Sequence, residues 1–159
     1  MMNAEIYIYS SINSIKAVDG FGGFICVCKR KDGTDGTLAY QCELQGATKL
    51  TSEIMLLTQA LSKFKRPCSV TVHLTNPQTI TTLNAWMPAW KLSGWKNSKG
   101  EDVDGWYKTL DRYMEGHELT YTADRGEYST WLEDNTRRHR EKGEKGCLIS
   151  LESLTVSKN

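Results

Sequence analysis

The chain opens on EIYIYS, in which Ile6 and Ile8 fall on one face of an extended strand and Tyr7 and Tyr9 on the other. Such double-sided apolar character suits a strand covered on both sides, and such strands are central in a sheet. A glycine-rich turn leads to a second strand, DGFGGFICVCKR, and the two Asp-Gly pairs of KRKDGTDGT favour a hairpin turn into a third, TLAYQCEL. The period then changes. In TSEIMLLTQALSKF, Ile54, Leu57, Leu61 and Phe64 recur at helical spacing, Thr51 or Ser52 is placed to cap the exposed amides, and Pro67 ends the helix. A fourth strand, SVTVHLTN, and a fifth, HELTYTAD, follow on either side of a segment of different character.

That segment holds four of the five tryptophans, Trp86, Trp90, Trp95 and Trp106. Trp86 and Trp90 stand four apart and can stack along one helical face, and Gly94 ends the turn before Trp95 and Lys96. One reading is a satellite core pinning a protruding helix-loop-helix. The other is an aromatic and basic protrusion that rides on nucleic acid, because Lys91, Lys96, Lys99 and Lys108 are interleaved with the rings. The two are compatible.

Past the fifth strand, WLEDNTRRHREKGEKG offers no apolar residue between Leu132 and Cys147, so only its first turn, at Trp131 and Leu132, is expected to anchor in the core. The remainder, with Arg137, Arg138, His139, Arg140, Lys142 and Lys145, reads as a solvated arm. In CLISLESLTV the apolar spacing fits a strand or a short helix, and the segment could extend a sheet edge or mediate self-association.

At 159 residues the chain can bury roughly two-thirds of its unfolded surface as a single domain. Its five cysteines include no CxxC pair, and no early apolar stretch resembles a signal peptide, so a reducing, cytoplasmic setting is expected. Cys26 and Cys28 share a strand face with no second ligand pair nearby, which favours packing over a zinc site. No run approaches the roughly twenty apolar residues that span a bilayer, so no membrane role is expected. The net charge is only +1, and the positive excess sits in residues 61–113, with eight Lys and Arg against four Asp and Glu. Within the protrusion Glu101, Asp102, Asp104 and Asp111 offset most of the lysines, so the basic footprint is modest.

The order of these elements, with SEIMLLTQAL, LTNPQTI and the tryptophan segment, resembles type 1 ribonuclease H over roughly residues 4–140. The resemblance implies an α/β fold, a five-stranded mixed sheet flanked by helices, with a Trp-rich handle at about 86–114. The domain would span 1–145, followed by an extension at 146–159. It also implies cleavage of the RNA strand of an RNA/DNA hybrid by two Mg or Mn ions held by four carboxylates. The first-helix carboxylate matches Glu53. Anchored on GFGGF, the first-strand aspartate falls on Tyr9, with Tyr9-Ser10-Ser11 standing for Asp-Gly-Ser, and the fourth-strand aspartate falls on Asn76. The loop histidine falls on Glu127. The last aspartate falls on Arg137 without a gap, or on Asn135 or Asp134 with a short deletion. Gln78 matches a position that reads the hybrid's minor groove, and Lys49 and Leu50 replace two asparagines beside the first helix. None of His73, His117 and His139 aligns with the loop histidine, and all three read as structural.

Two hard dications about 4 Å apart require anionic oxygens. Glu53 supplies one negative charge, whereas Tyr9 and Asn76 are neutral and Arg137 would repel a cation. The sequence therefore points to a catalytically inactive ribonuclease H-like protein with no cofactor, which binds an RNA/DNA hybrid, another nucleic-acid duplex or a partner protein. Nucleic acid would meet Gln78, Trp86, Lys91, Trp95, Lys96 and Lys99. One alternative is an active enzyme with a rearranged metal site, drawing on Asp124, Glu127, Glu133 and Asp134 and built above all on Glu53 and Asp134. Another is a protein-interaction module.

Overall fold

The computed structural model describes residues 1–103, 105–143 and 147–149. Its sheet runs β5-β4-β1-β2-β3-β6, formed by β1 (Met2–Ser10), β2 (Val18–Lys29), β3 (Asp35–Ala47), β4 (Cys68–His73), β5 (Glu118–Thr122) and β6 (Cys147–Ile149). The first three strands form an antiparallel meander, while β4 lies parallel to β1 and β5 parallel to β4. β1 is central, as its two apolar faces require.

On one face Ile6, Ile8, Phe24, Val70 and Val72 pack against α1 (Lys49–Leu61) and α4 (Gly105–Met114). Ile54, Leu56 and Leu57 are fully buried there, each worth roughly 1.5–3 kcal/mol of transfer free energy. On the other face Tyr7, Ile25 and Val27 meet Leu132 of α5 (Ser129–Glu141). No helix among the described residues is long and apolar enough to cross a membrane.

Several local expectations need correction. The α1 cap is Thr48 rather than Thr51 or Ser52: its hydroxyl accepts the Thr51 N–H at 3.1 Å while the Thr51 hydroxyl accepts the Thr48 N–H at 2.8 Å. Ser52 instead turns inward to Ser10, 2.7 Å between hydroxyls. Phe64 lies past the helix end but still packs on the core. α5 is anchored beyond its first turn, because Thr136 is also buried. It fits only because Gly23 lies beneath it: a Cβ there would sit 2.7 Å from the Thr136 hydroxyl. A count of apolar residues cannot detect such a contact.

β6 pairs in parallel with Cys42–Leu44 of β3, so the segment beginning at Cys147 enters as an edge strand. The remainder of that segment, 150–159, lies outside the described residues, as do 104 and 144–146.

Between β4 and α4 the chain forms α2 (Pro77–Thr81), a π-helical turn (Thr82–Trp86) and α3 (Met87–Leu92). Trp90 meets Tyr107 edge-on at 5.0 Å rather than stacking on Trp86. Trp106 is buried against the core and Trp95 packs on it, whereas Trp86 is 55% exposed. Consecutive positive φ values at Gly94 and Trp95 reverse the chain after α3.

Candidate functional site

β1 and β4 run in parallel, and a cleft opens beyond their carboxyl ends, the usual location for a site in an open α/β sheet. Tyr7, Tyr9, His73, Thr75, Asp124 and Glu133 line it. Three elements therefore supply the site: the end of β1, the β4–α2 corner, and the loop leading into α5.

Glu53 lies beneath this cleft. It is fully buried on the inner side of α1. Its Oε2 accepts the Thr75 backbone N–H at 3.1 Å and the Thr75 hydroxyl at 2.8 Å, and its Oε1 accepts the Thr79 hydroxyl at 2.7 Å. Lys49, one turn earlier on α1, stands 4.0 Å from Oε2 and donates to the Thr75 hydroxyl at 2.9 Å. A buried carboxylate is tolerated only when paired and hydrogen-bonded, and here both conditions are met within the protein.

Asn76 caps α2, accepting the Gln78 N–H on its side-chain oxygen at 3.1 Å, while the Gln78 side chain is exposed. Tyr9 is half-buried, with the Arg137 guanidinium 5.4 Å above its ring. Contact with Tyr9 raises the Arg137 pKa, so this residue is a permanent cation. Of the three candidates for the last position, Arg137 thus reaches Tyr9, Asn135 is half-buried on α5, and Asp134 is exposed and does not line the cleft. Glu133 lines it instead, paired with Arg125 at 2.8 Å.

Glu127 is exposed, and its neighbour Gly126 carries the structural role of this loop. A Cβ on Gly126 would lie 2.6 Å from the Tyr7 hydroxyl and 2.8 Å from the His73 ring. His73 stacks flat on Tyr7, centroids 4.1 Å apart, with Nε2 3.0 Å from Glu5 and Nδ1 3.0 Å from the Asp124 carbonyl. Burial, then the charge of Glu5, pushes the Tyr7 phenol above its ordinary pKa, against the backbone N–H groups of Tyr128 and Glu127. His117 accepts the Cys68 N–H at 3.1 Å and His139 is half-buried on α5.

Sequence reasoning passed over His73 as a cleft residue and favoured Asp134 over Glu133. Two signals were available: strand register sets His73 beside Tyr7, and Glu133 directly follows the anchoring Leu132.

In the helix-loop-helix, Lys91 pairs with Asp111 at 3.1 Å and Lys96 with Asp102 at 2.6 Å. Lys99 is exposed, with no ion pair among the described residues.

These residues do not fit a pair of divalent cations. Both Glu53 oxygens are taken by Thr75 and Thr79, Glu133 is neutralised by Arg125, and Arg137 brings a positive charge to the end of β1. Among the described residues, no three His, Cys, Asp or Glu side chains are grouped closely enough to hold a metal ion.

No family model matches the chain. The ribonuclease H of Albidiferax ferrireducens is 30% identical over 123 residues, which cover 77% of this chain and 76% of that protein. Among solved structures, LC9-RNase H1, a type 1 RNase H with the type 2 active-site motif, superposes with a TM-score of 0.68 at 14% identity, covering 92% of this chain and 75% of that one. A foamy viral protease-reverse transcriptase, solved in complex with dsDNA, gives 0.61 at 12% identity, covering 86% and 89%. An identity of 30% along three-quarters of both chains, joined to a matching fold, establishes that this chain belongs to the ribonuclease H family.

Proposed function

We propose that residues 1–145 form a ribonuclease H-fold domain that binds a nucleic-acid duplex, an RNA/DNA hybrid first among them, without two-metal hydrolysis. The observation carrying this reading is Glu53, the one family carboxylate retained, whose charge is absorbed by Thr75, Thr79 and Lys49. In-line displacement between two metals needs several carboxylate oxygens converging on open space, and here one buried carboxylate is spent on holding a helix to a strand end. Binding is supported by what remains exposed: Gln78, whose amide can both donate and accept, and the cation Arg137 beside Tyr9, which makes no ion pair among the described residues. The exposed Trp86 and Lys99 offer a stacking ring and a phosphate contact on the helix-loop-helix, in the manner of a handle. Lys91 and Lys96 contribute through charges partly offset by Asp111 and Asp102. A solved relative in fold, the foamy viral protein, is in complex with dsDNA. The thiols of Cys26, Cys28 and Cys68, none of them in a disulfide, suit a reducing, cytoplasmic setting.

A gel shift and a cleavage assay on one RNA/DNA hybrid, each with Mg²⁺ and with Mn²⁺, test the reading. Salt-sensitive binding without cutting is expected. Metal-dependent cutting abolished by Glu53→Gln refutes it and restores the enzyme. Absence of hybrid and duplex binding refutes it in the other direction, leaving a surface that docks a protein.

A further inference from the structure

We propose that Arg137 is a phosphate ligand whose guanidinium takes a non-bridging oxygen of a bound strand at the end of β1, so that a side-chain cation stands where the family's chemistry relies on metal cations. The proposal rests on the duplex-binding reading above and specifies how that site holds its ligand.

Most of the cations around the cleft and along α5 are already committed. Arg125 is neutralised by Glu133 at 2.8 Å and Arg140 is paired with Glu43. Arg138 turns back along its own helix to the Asp134 carbonyl at 3.4 Å, and Lys49 is directed at Thr75 above Glu53. Arg137 differs from these. It is exposed, lies on the helical face toward β1, and makes no ion pair among the described residues. Glu133 and Asp134 influence it from the same helix, but neither reaches ion-pair distance.

Its position over the Tyr9 ring matters for a second reason. Beside the Tyr9 ring the guanidinium interacts first with the Tyr9 hydroxyl, and a group with five N–H donors keeps others for the recognition of a phosphate. Tyr9 is held by the β1 ladder, opposite Gly23 of β2. The contact therefore restricts the long Arg137 side chain before any ligand arrives, which lowers the ordering cost of binding. Thr136 underneath pins that turn of α5 on Gly23, where no Cβ could be accommodated. The arrangement accounts for three features together: the aromatic at position 9, the glycine beside it in the sheet, and the arginine one residue past the buried threonine.

Because the charge belongs to the protein, affinity is independent of divalent metal. The test is fluorescence anisotropy on the full chain with a labelled RNA/DNA hybrid, in EDTA and in Mg²⁺, across a salt series. Wild type, Arg137→Gln and Arg137→Met are compared on the native hybrid and on hybrids carrying a single neutral methylphosphonate at successive positions. Binding is expected to survive EDTA, and both variants to weaken it roughly tenfold, the loss of one charge-assisted contact. The slope of log affinity against log salt falls by about one unit. One methylphosphonate position should weaken wild type and no longer weaken the variants. Should wild type bind while both variants match it in affinity and slope, or should the methylphosphonate profile be unchanged by them, Arg137 is not the ligand and the duplex-binding reading stands. Should wild type bind no hybrid, that reading fails and this one with it.

Discussion

Replacing Glu53 by Gln separates a structural carboxylate from a metal ligand, because the two roles predict opposite signs. In an active-site cluster, unneutralised acids repel one another without metal, so removing one charge stabilises the fold and metal stabilises the parent protein. In this chain the Glu53 carboxylate accepts three hydrogen bonds at 2.7–3.1 Å in full burial, with Lys49 at 4.0 Å. Glutamine keeps the shape. Its oxygen can still accept both Thr75 donors, and the Thr79 hydroxyl can rotate to accept from the new NH₂ group. What is lost is charge assistance, about 1 kcal/mol for each of the three bonds, partly offset by relief of charge burial. The net expectation is a destabilisation of about 1–3 kcal/mol, or a fall in Tm of roughly 3–8 °C for a chain of this length. Glu53→Ala should cost more, about 4–5 kcal/mol, because two hydroxyls and one backbone N–H are left over a void. Thermal melts followed by circular dichroism, with EDTA and with millimolar Mg²⁺ or Mn²⁺, decide the matter. A Glu53→Gln protein that melts higher than wild type, or a metal-dependent rise in wild-type Tm that this variant abolishes, refutes the reasoning.

Two tryptophans should respond in opposite ways. Trp106→Ala empties a site only 2% exposed and should cost about 3–5 kcal/mol in urea unfolding, whereas Trp86→Ala, at a residue 55% exposed, should leave stability nearly unchanged and weaken duplex affinity by about 1–3 kcal/mol in anisotropy titrations. Gly126→Ala places a methyl group 2.6–2.8 Å from Tyr7 and His73, and should lower stability by about 1–3 kcal/mol and alter the near-ultraviolet tyrosine signal. The Asp35 carboxyl is held below its ordinary pKa, first by the hydrogen bond from Lys29 and then by that from Tyr128, so Lys29→Met should raise its titration midpoint in NMR more than Tyr128→Phe does. Since the folded-state pKa is the lower one, this pair stabilises the fold above the unfolded-chain carboxyl pKa, and the contribution disappears as pH falls through the folded value.

The sheet was legible because its signal is one-dimensional: alternation in EIYIYS and the helical spacing of Ile54, Leu57 and Leu61 report which faces are covered. Family resemblance is what singled out Tyr9, Glu53 and Asn76. Their environments were not legible. Burial of Glu53 depends on Thr75 and Thr79, residues 22 and 26 positions away that no local pattern links to it. The inward lean of α5 depends on a missing Cβ at Gly23, and the cap of α1 on a threonine one residue before the helix. Each is a contact between a small residue and a polar one, which hydrophobic periodicity does not record.

The residues around the cleft are mutually consistent as electrostatics. A carboxylate as buried as Glu53 needs compensating partners in the absence of cations, and the β4–α2 corner supplies two hydroxyls and a backbone N–H while Lys49 supplies a charge. Asn76, a neutral residue, turns its oxygen to cap α2 and adds no charge to the corner that holds Glu53. Tyr9, also neutral, accommodates the Arg137 guanidinium at the strand end. Introducing a single aspartate, at Tyr9 or at Asn76, would therefore add an acid to a site whose buried carboxylate is already satisfied and whose cation is already in place. On the proposed reading of a non-hydrolytic domain, two-metal cleavage would require those changes together with removal of Arg137 and of the Thr79 hydroxyl that occupies Glu53 Oε1.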